Sequence, residues 1–234
     1  MTAEVRPAGA AADPGPIAAV VMAAGAGRRF GFRPKCLLRR DGEALLARQL
    51  RLLAEGGVGR QQVVLGHHAS DMVPLLQALR SEPRHAGLAW TVNPAPDEGP
   101  GSSLRCALAA LPADLEGVLV LLGDQPLLEV GDIRAALQAW DARAPGIELV
   151  LPVHAGEPGH PLVFGARARQ AVMAASGGAG LREWRRAHPD QVQALAVDHA
   201  RCTTDLDSEE DLARLAARQG VALLWPPELI RPVQ

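Results

Sequence analysis

The chain has 234 residues, with 24 Lys plus Arg against 26 Asp plus Glu, a formal charge of −2, and 3% aromatic residues with no tyrosine. It therefore lacks the basic surface and the stacking rings of a general nucleic-acid binder, and a small-molecule ligand is expected instead. The length allows one α/β domain with a sizeable core, and three scattered cysteines (Cys36, Cys106 and Cys202) without CxxC spacing suit a reducing compartment, so a cytoplasmic monomer is expected.

Residues 1–16 (MTAEVRPAGAAADPGP) have no hydrophobic period and read as a flexible N-terminal tail. Asp13, Pro14 and Pro16 break the pattern of a signal peptide, and the apolar run that follows at 17–24 is too short to span a membrane. From there, short β-branched runs predict strands at 17–24, 62–66, 88–93, 118–123, 147–153, 161–165 and 192–198. Between them, Leu46, Leu50 and Leu53 mark one helix face, and a second helix over 70–82 opens on a Ser70 cap with Pro74 in its first turn. Further helices fit 103–112, 131–142, 166–176, 180–188 and 208–219. This alternation predicts a single-domain three-layer α/β/α nucleotide-binding fold over 17–220, with a mostly parallel, Rossmann-like sheet and a C-terminal extension at 221–234.

In such sheets ligands gather beyond the carboxyl ends of the strands. The segments there are GAGRRFG, NPAPDEGPGSSL, GDQP, HAGEPGHP and DHARCTTDLD. The first places Gly25, Gly27 and Gly31 among Arg28, Arg29 and Lys35, a backbone able to approach phosphates with positive charge behind it. Its plainer reading is a glycine-rich turn with solvated arginines. The spacing is GxGxxxG, one residue longer than the dinucleotide fingerprint, and no acid follows the second strand; the GxxxxGK[ST] phosphate loop is also missing. Lys35 is the one lysine beside 23 arginines (24 − 1). A position that keeps the compact ammonium calls for a point donor in a site too crowded for a planar guanidinium.

Asp124 follows the most apolar strand, where a carboxylate is costly to bury without a partner such as a bound cation, although GDQP is also a good turn sequence. Asp205 and Asp207, two residues apart in an extended segment, are able to point the same way and, with Asp124, to hold a magnesium ion carrying substrate phosphates. Ser208 to Asp211 read as a helix cap and an acidic first turn. His160, between Gly159 and Pro161, is either structural or a substrate contact; His67 and His68 have no zinc-ligand spacing and receive no role.

Together these segments resemble one family. MAAGAGRRFGFRPKCLL is similar to the LAAGxSxRxG…K signature of MobA-like nucleotidyltransferases, and GPGSSLRCAL, GDQPLL, GHPLVF and DLDSEEDL resemble its later motifs in the same order, over roughly 17–215. Within that family the chain looks most like the molybdenum cofactor cytidylyltransferases. Guanylyl-transferring relatives carry AGG where this chain has Ala23, Ala24 and Gly25, so Ala24 implies cytosine. The resemblance implies attack of the terminal phosphate of molybdenum-bound molybdopterin on the α-phosphorus of CTP, with release of pyrophosphate. In that scheme Ala23, Ala24, Gly25, Gly27, Arg28, Lys35, Ser102 and Ser103 bind the nucleotide, with Lys35, Arg28 and Asp124 catalytic. Asp124, Asp207 and Asp205 hold Mg2+, and Gly159 and His160 meet the acceptor. The implied partners are CTP, the cofactor, and the molybdoenzyme or chaperone that receives it.

Departures are mild: Ala26 and Gly27 replace a small residue followed by serine, Phe30 stands where methionine is frequent, and DSEED lacks a threonine-proline pair. They bear on the acceptor more than on the chemistry. A sugar phosphate, an isoprenoid precursor phosphate, guanylyl transfer, or a noncatalytic carrier of the cofactor remain the alternatives. Lys35→Arg, which keeps the charge, is expected to lower kcat/KM at least about tenfold, some 1.4 kcal/mol of transition-state binding; steady-state kinetics of the variant, indistinguishable from wild type, would make the lone lysine an accident of composition.

Overall fold

A computed structural model describes residues 16–230. All of the expected N-terminal tail except Pro16 lies outside the described residues. In chain order the elements are β1 (Ile17–Ala23), β2 (Arg39–Arg40), β3 (Glu43–Ala44), α1 (Leu45–Glu55), β4 (Arg60–Leu65), α2 (Ala69–Arg80), β5 (Leu88–Val92), α3 (Pro100–Ala109) and β6 (Gly117–Leu122). They continue as α4 (Val130–Asp141), β7 (Leu149–His154), β8 (Glu157–Pro158), β9 (Leu162–Phe164), α5 (Ala166–Ala174), α6 (Leu181–Ala187), β10 (Val192–Ala196), α7 (Glu209–Gln219) and β11 (Leu223–Leu224).

The main sheet runs β10-β7-β9-β6-β1-β4-β5, with β8 paired to β7. β1 is parallel to both β4 and β6, β4 to β5, and β10 to β7. β9 alone is inserted between β6 and β7 antiparallel to both. This reversal brings the residues that precede β9 to the edge where β6 and β7 end. Gly159 and His160 thus join the carboxyl-end loops.

Successive side chains of a strand face opposite ways, and β1 is apolar on both faces. Ala19, Val21 and Ala23 pack with Leu46 and Leu50 of α1, Met72 of α2, and Ile133 and Trp140 of α4. Ala18 and Val20 pack with Leu104 and Leu108 of α3, Val172 of α5 and Trp184 of α6. The result is the expected three-layer α/β/α fold. A third, smaller core lies outside these layers and joins Phe30, Leu38, Leu45, Leu127, Leu206, Leu215 and Leu223.

All seven expected strands form, within two residues of their expected ends. The helix expected at 70–82 instead begins at Ala69 behind His68, so Ser70 lies inside it and Pro74 falls in its second turn. α3 starts at Pro100, because proline is preorganised for a helix's first position and Gly99, at φ 105°, turns the chain into it. The paired residues of β2, β3, β8 and β11 are too few to show alternation in sequence, and none was expected. β11 pairs with β2, and β2 with β3, in a separate antiparallel sheet, which ties part of the expected 221–234 extension to the residues just after Lys35. Among the described residues, no helix is long and apolar enough to cross a membrane.

Leu206 is 1% exposed and contributes to the small third core from between Asp205 and Asp207. Leu206→Ala is expected to cost about 2–5 kcal/mol in chemical denaturation.

Candidate active site

The chain leaves β1 through Ala24 and Gly25 into a loop that folds on itself. The Gly27 carbonyl accepts hydrogen bonds from the backbone N–H of Phe30 and of Phe32, each at 2.9 Å. Gly27 sits at φ 62°, and a Cβ there would collide with the Arg33 carbonyl, so glycine is required on both counts. Gly25 differs. A Cβ added to it would meet nothing, so its bare backbone serves the open space beside it rather than the chain's own packing.

That space is a cleft of about 460 Å³ walled by residues 24–30, Lys35, His67, Pro96, Asp97 and Asp207. Ala24 lies at its edge, where a Cβ on Gly66 would approach the Ala24 carbonyl oxygen to 2.5 Å and Pro96 Cβ to 2.9 Å. The ends of β1 and β4 and the loop after β5 therefore converge on one point. Ala23, within β1, is buried beneath the cleft.

Lys35 occupies the inner end. Its ammonium donates to Asp124 Oδ2 at 2.6 Å and to the Leu206 carbonyl, with Asp207 Oδ1 at 3.6 Å. Burial works against the charged lysine, but the Asp124 carboxylate, by charge and hydrogen bond, and then Asp207 outweigh it and raise the pKa above the ordinary value. The partner that Asp124 needed is thus Lys35. Gly123, beside Asp124, lets Cys36 lie close, since a Cβ there would come within 2.8 Å of Cys36 Sγ. Burial, reinforced by Asp124, pushes the Cys36 thiol up to about 12, which makes it a protonated core side chain and no nucleophile.

Arg28 and Arg29 stand at the mouth. Arg28 reaches Asp97 at 2.9 Å, which also meets His67 Nε2 at 3.2 Å, and Arg29 reaches Asp207 at 3.1 Å. These pairs are well exposed, and exposed pairs are worth about 0–1 kcal/mol, so an incoming anion can take either guanidinium at little cost.

Asp205 does not complete a three-carboxylate cluster with Asp124 and Asp207; among the described residues no group of three His, Cys, Asp or Glu side chains is placed to hold a metal ion. It lines an adjoining cavity against α7, and burial, with the negative charge of Asp124 and Asp207, raises its pKa. Asp124 and Asp207 are separated by the Lys35 ammonium. Two hard carboxylate oxygens beside an open cleft still suit Mg2+, which is normally held by one or two carboxylates plus substrate phosphates and water.

Ser102 and Ser103 do not line the cleft. Both are buried, and both hydroxyls accept from Asn93 Nδ2, at 2.7 and 3.0 Å, while Ser102 also donates to the Ala95 carbonyl. They shape the loop that carries Pro96 and Asp97 rather than presenting hydroxyls to a nucleotide. Gly159 and His160 lie against the segment that carries Asp205 and Asp207: the His160 N–H donates to the Cys202 carbonyl, and a Cβ on Gly159 would strike the same carbonyl. The side chain of buried Gln125, next to Asp124, donates to that oxygen too, at 2.9 Å.

Sequence reasoning assigned nothing to His67 and gave Asp97 no separate role. The carboxyl-end rule that selected the other loops would have found His67 as well, because GHHAS directly follows β4.

The MobA-like NTP transferase domain matches residues 19–192. The chain belongs to the MobA-like NTP transferase family. The matched region of this family holds Lys35, Asp124 and His160; Asp205, Asp207, α7 and β11 lie beyond it. The bifunctional protein GlmU of Mycobacterium ulcerans is 28% identical over 222 residues, 92% of this chain and 43% of that protein. GlmU of Mycolicibacterium gilvum is 34% identical over 148 residues, 61% of this chain and 29% of that protein. The MobA-like chain thus spans less than half the length of these relatives. The crystal structure of Rv0371c from Mycobacterium tuberculosis is 27% identical, covers 86% of this chain and 97% of its own, and superposes with a TM-score of 0.68; its manganese complex gives 26% and 0.66 over 86% and 98%. An inositol-1-phosphate CTP transferase from T. maritima shares the fold at 18% identity, with a TM-score of 0.62 over 86% of this chain and 92% of its own.

Burial, with the Arg185 charge behind it, pushes His160 down to about 4. Its folded pKa lies below the ordinary 6.5, so the unfolded chain takes up the proton first and stability is lost as pH falls from about 6.5 towards 4. His160→Asn is expected to remove on the order of 2 kcal/mol of that loss between pH 7 and 4.5, read by denaturant titration at both values.

Proposed function

We propose that this MobA-like protein is a cytidylyltransferase that moves CMP from CTP to the phosphate of molybdenum-bound molybdopterin, forming the cytosine dinucleotide cofactor and pyrophosphate. The observation that carries nucleotidyl transfer is the Lys35 ammonium set between Asp124 and Asp207 at the inner end of a glycine-lined cleft with two displaceable arginines at its mouth. The five ordered motifs and Ala24 support the finer choice of acceptor and base.

The acceptor phosphate oxygen attacks the α-phosphorus; the new P–O bond forms as the bond to the β-phosphate breaks, and pyrophosphate leaves with that electron pair. A phosphate nucleophile is already ionised near neutral pH, so no general base is needed. This chain's part is to bring two anions together and offset their charge. Arg28 and Arg29 exchange their carboxylates for triphosphate oxygens. Lys35, a compact donor, faces the crowded phosphorus centre. Bare backbone at Gly25 leaves room for the phosphates to approach. Asp124 and Asp207 are the residues that would hold Mg2+, which would supply positive charge to offset that of the phosphates; the manganese complex of Rv0371c supports a divalent ion here.

Pyrophosphate release from purified protein with intact molybdenum cofactor, Mg2+ and either CTP or GTP tests the reading. Release with CTP alone is expected. Release with GTP alone would keep the mechanism and overturn the base choice, whereas silence with both would turn attention to other phosphorylated acceptors and to a carrier role. Asp124→Ala is expected to abolish release while circular dichroism stays native, because Lys35 retains the Leu206 carbonyl and Asp207.

A further inference from the structure

We propose that Trp225, acting through Arg33, is a positioning residue that holds the glycine-rich loop in shape; its link to triphosphate binding rests on the nucleotidyl-transfer reading above. The loop contains Phe32 at φ 58°, a conformation that a bulky side chain adopts only under constraint from its surroundings, and that side chain is 66% exposed and so supplies little packing of its own. Arg28 and Arg29, on the same loop, make only exposed ion pairs. The constraint comes from the other side. Arg33 Nε donates to the Phe30 carbonyl at 2.8 Å, its terminal nitrogen pairs with Glu209 at the start of α7, and its guanidinium lies 4.1 Å from the Trp225 ring centroid. Trp225 also meets buried Phe30 edge-on, with ring centroids 5.8 Å apart.

Trp225 is placed by β11, whose residues Leu223 and Leu224 pair with Arg40 and Arg39. The same strand therefore grips the chain on both sides of Lys35: at β2, just after it, and at Phe30 and Arg33, just before it. The Trp225 indole N–H is buried and finds no acceptor among the described residues, so the ring works by its faces and edges alone. Trp225 and β11 lie beyond residues 19–192 matched by the family, in a segment to which the chemistry assigns no role.

The test compares full-length wild type, Trp225→Ala and Trp225→Phe by amide hydrogen exchange without nucleotide and by steady-state kinetics. In Trp225→Ala, exchange across 28–33 is expected to accelerate at least about tenfold while the β1 and β6 amides stay protected. KM for CTP is expected to rise about tenfold, with kcat within about twofold. Trp225→Phe, which keeps a ring and loses an N–H that bonds nothing, is expected to restore both. Loop exchange unchanged in folded Trp225→Ala would overturn the proposal, as would faster exchange with KM unchanged. Should Trp225→Ala fail to fold, Arg33→Gln breaks the same contact from the half-buried side and carries the same expectations. A wild type that turns over no CTP would sink the functional reading alone, since the nucleotide-free exchange still decides whether Trp225 anchors the loop.

Discussion

One half-buried ammonium organises this molecule. Lys35 comes from the loop after β1, Asp124 from the end of β6, and Asp207 and the Leu206 carbonyl from the segment before α7, and all four meet at Nζ. Attraction between close charges grows as water is excluded, and it must offset the cost of taking them out of solvent, so the arrangement works only if every partner is held in place. A guanidinium would spread the same charge over a plane instead of presenting it at one point. The local features around it serve that convergence: the missing side chain at Gly123 lets Cys36 lie close, and Leu206 is pinned in apolar surroundings between its two acidic neighbours.

What does the pinning is a small core set apart from the two large ones. Phe30 lies on the glycine-rich loop, Leu38 three residues past the lysine, Leu127 three past Asp124, Leu206 between Asp205 and Asp207, and Leu215 and Leu223 on α7 and β11. The segments that carry Arg28, Lys35, Asp124 and Asp207 thus each donate an apolar residue to a common floor. A polar site thus rests on an apolar floor. The Cys202 carbonyl adds a directional tie, receiving both the His160 N–H and Gln125 Nε2, so the loop of Gly159 and His160 and the aspartate-bearing segment share one anchor.

The sheet was legible because its strands are apolar on both faces and its helices carry clear leucine or alanine stripes, signals that depend on residues near one another in sequence. Lys35, Asp124 and Asp207 were legible for another reason: each follows a strand or precedes a helix at the edge where ligands collect. The reversed direction of β9, the burial of Ser102 and Ser103 against Asn93, and the separation of Asp205 from its expected partners were not legible. All three are settled by contacts between segments distant in sequence, which no local period encodes. Asp124 is the instructive case. The cost of burying it left a bound cation or a polar turn open, and the positive group the structure sets beside it is a side chain 89 positions away (124 − 35).

Asp207 is shared: it faces Lys35 at 3.6 Å on one side and Arg29 at 3.1 Å on the other. Any anion that captures Arg29 releases half of that carboxylate's obligations, and any cation that draws on Asp207 loosens Arg29. Such effects are thermodynamically reciprocal, so the two ligands strengthen one another's binding by the same factor. Asp207 thus couples an anion at the mouth of the cleft to a cation at its inner end, through a pair no stronger than an exposed ion pair.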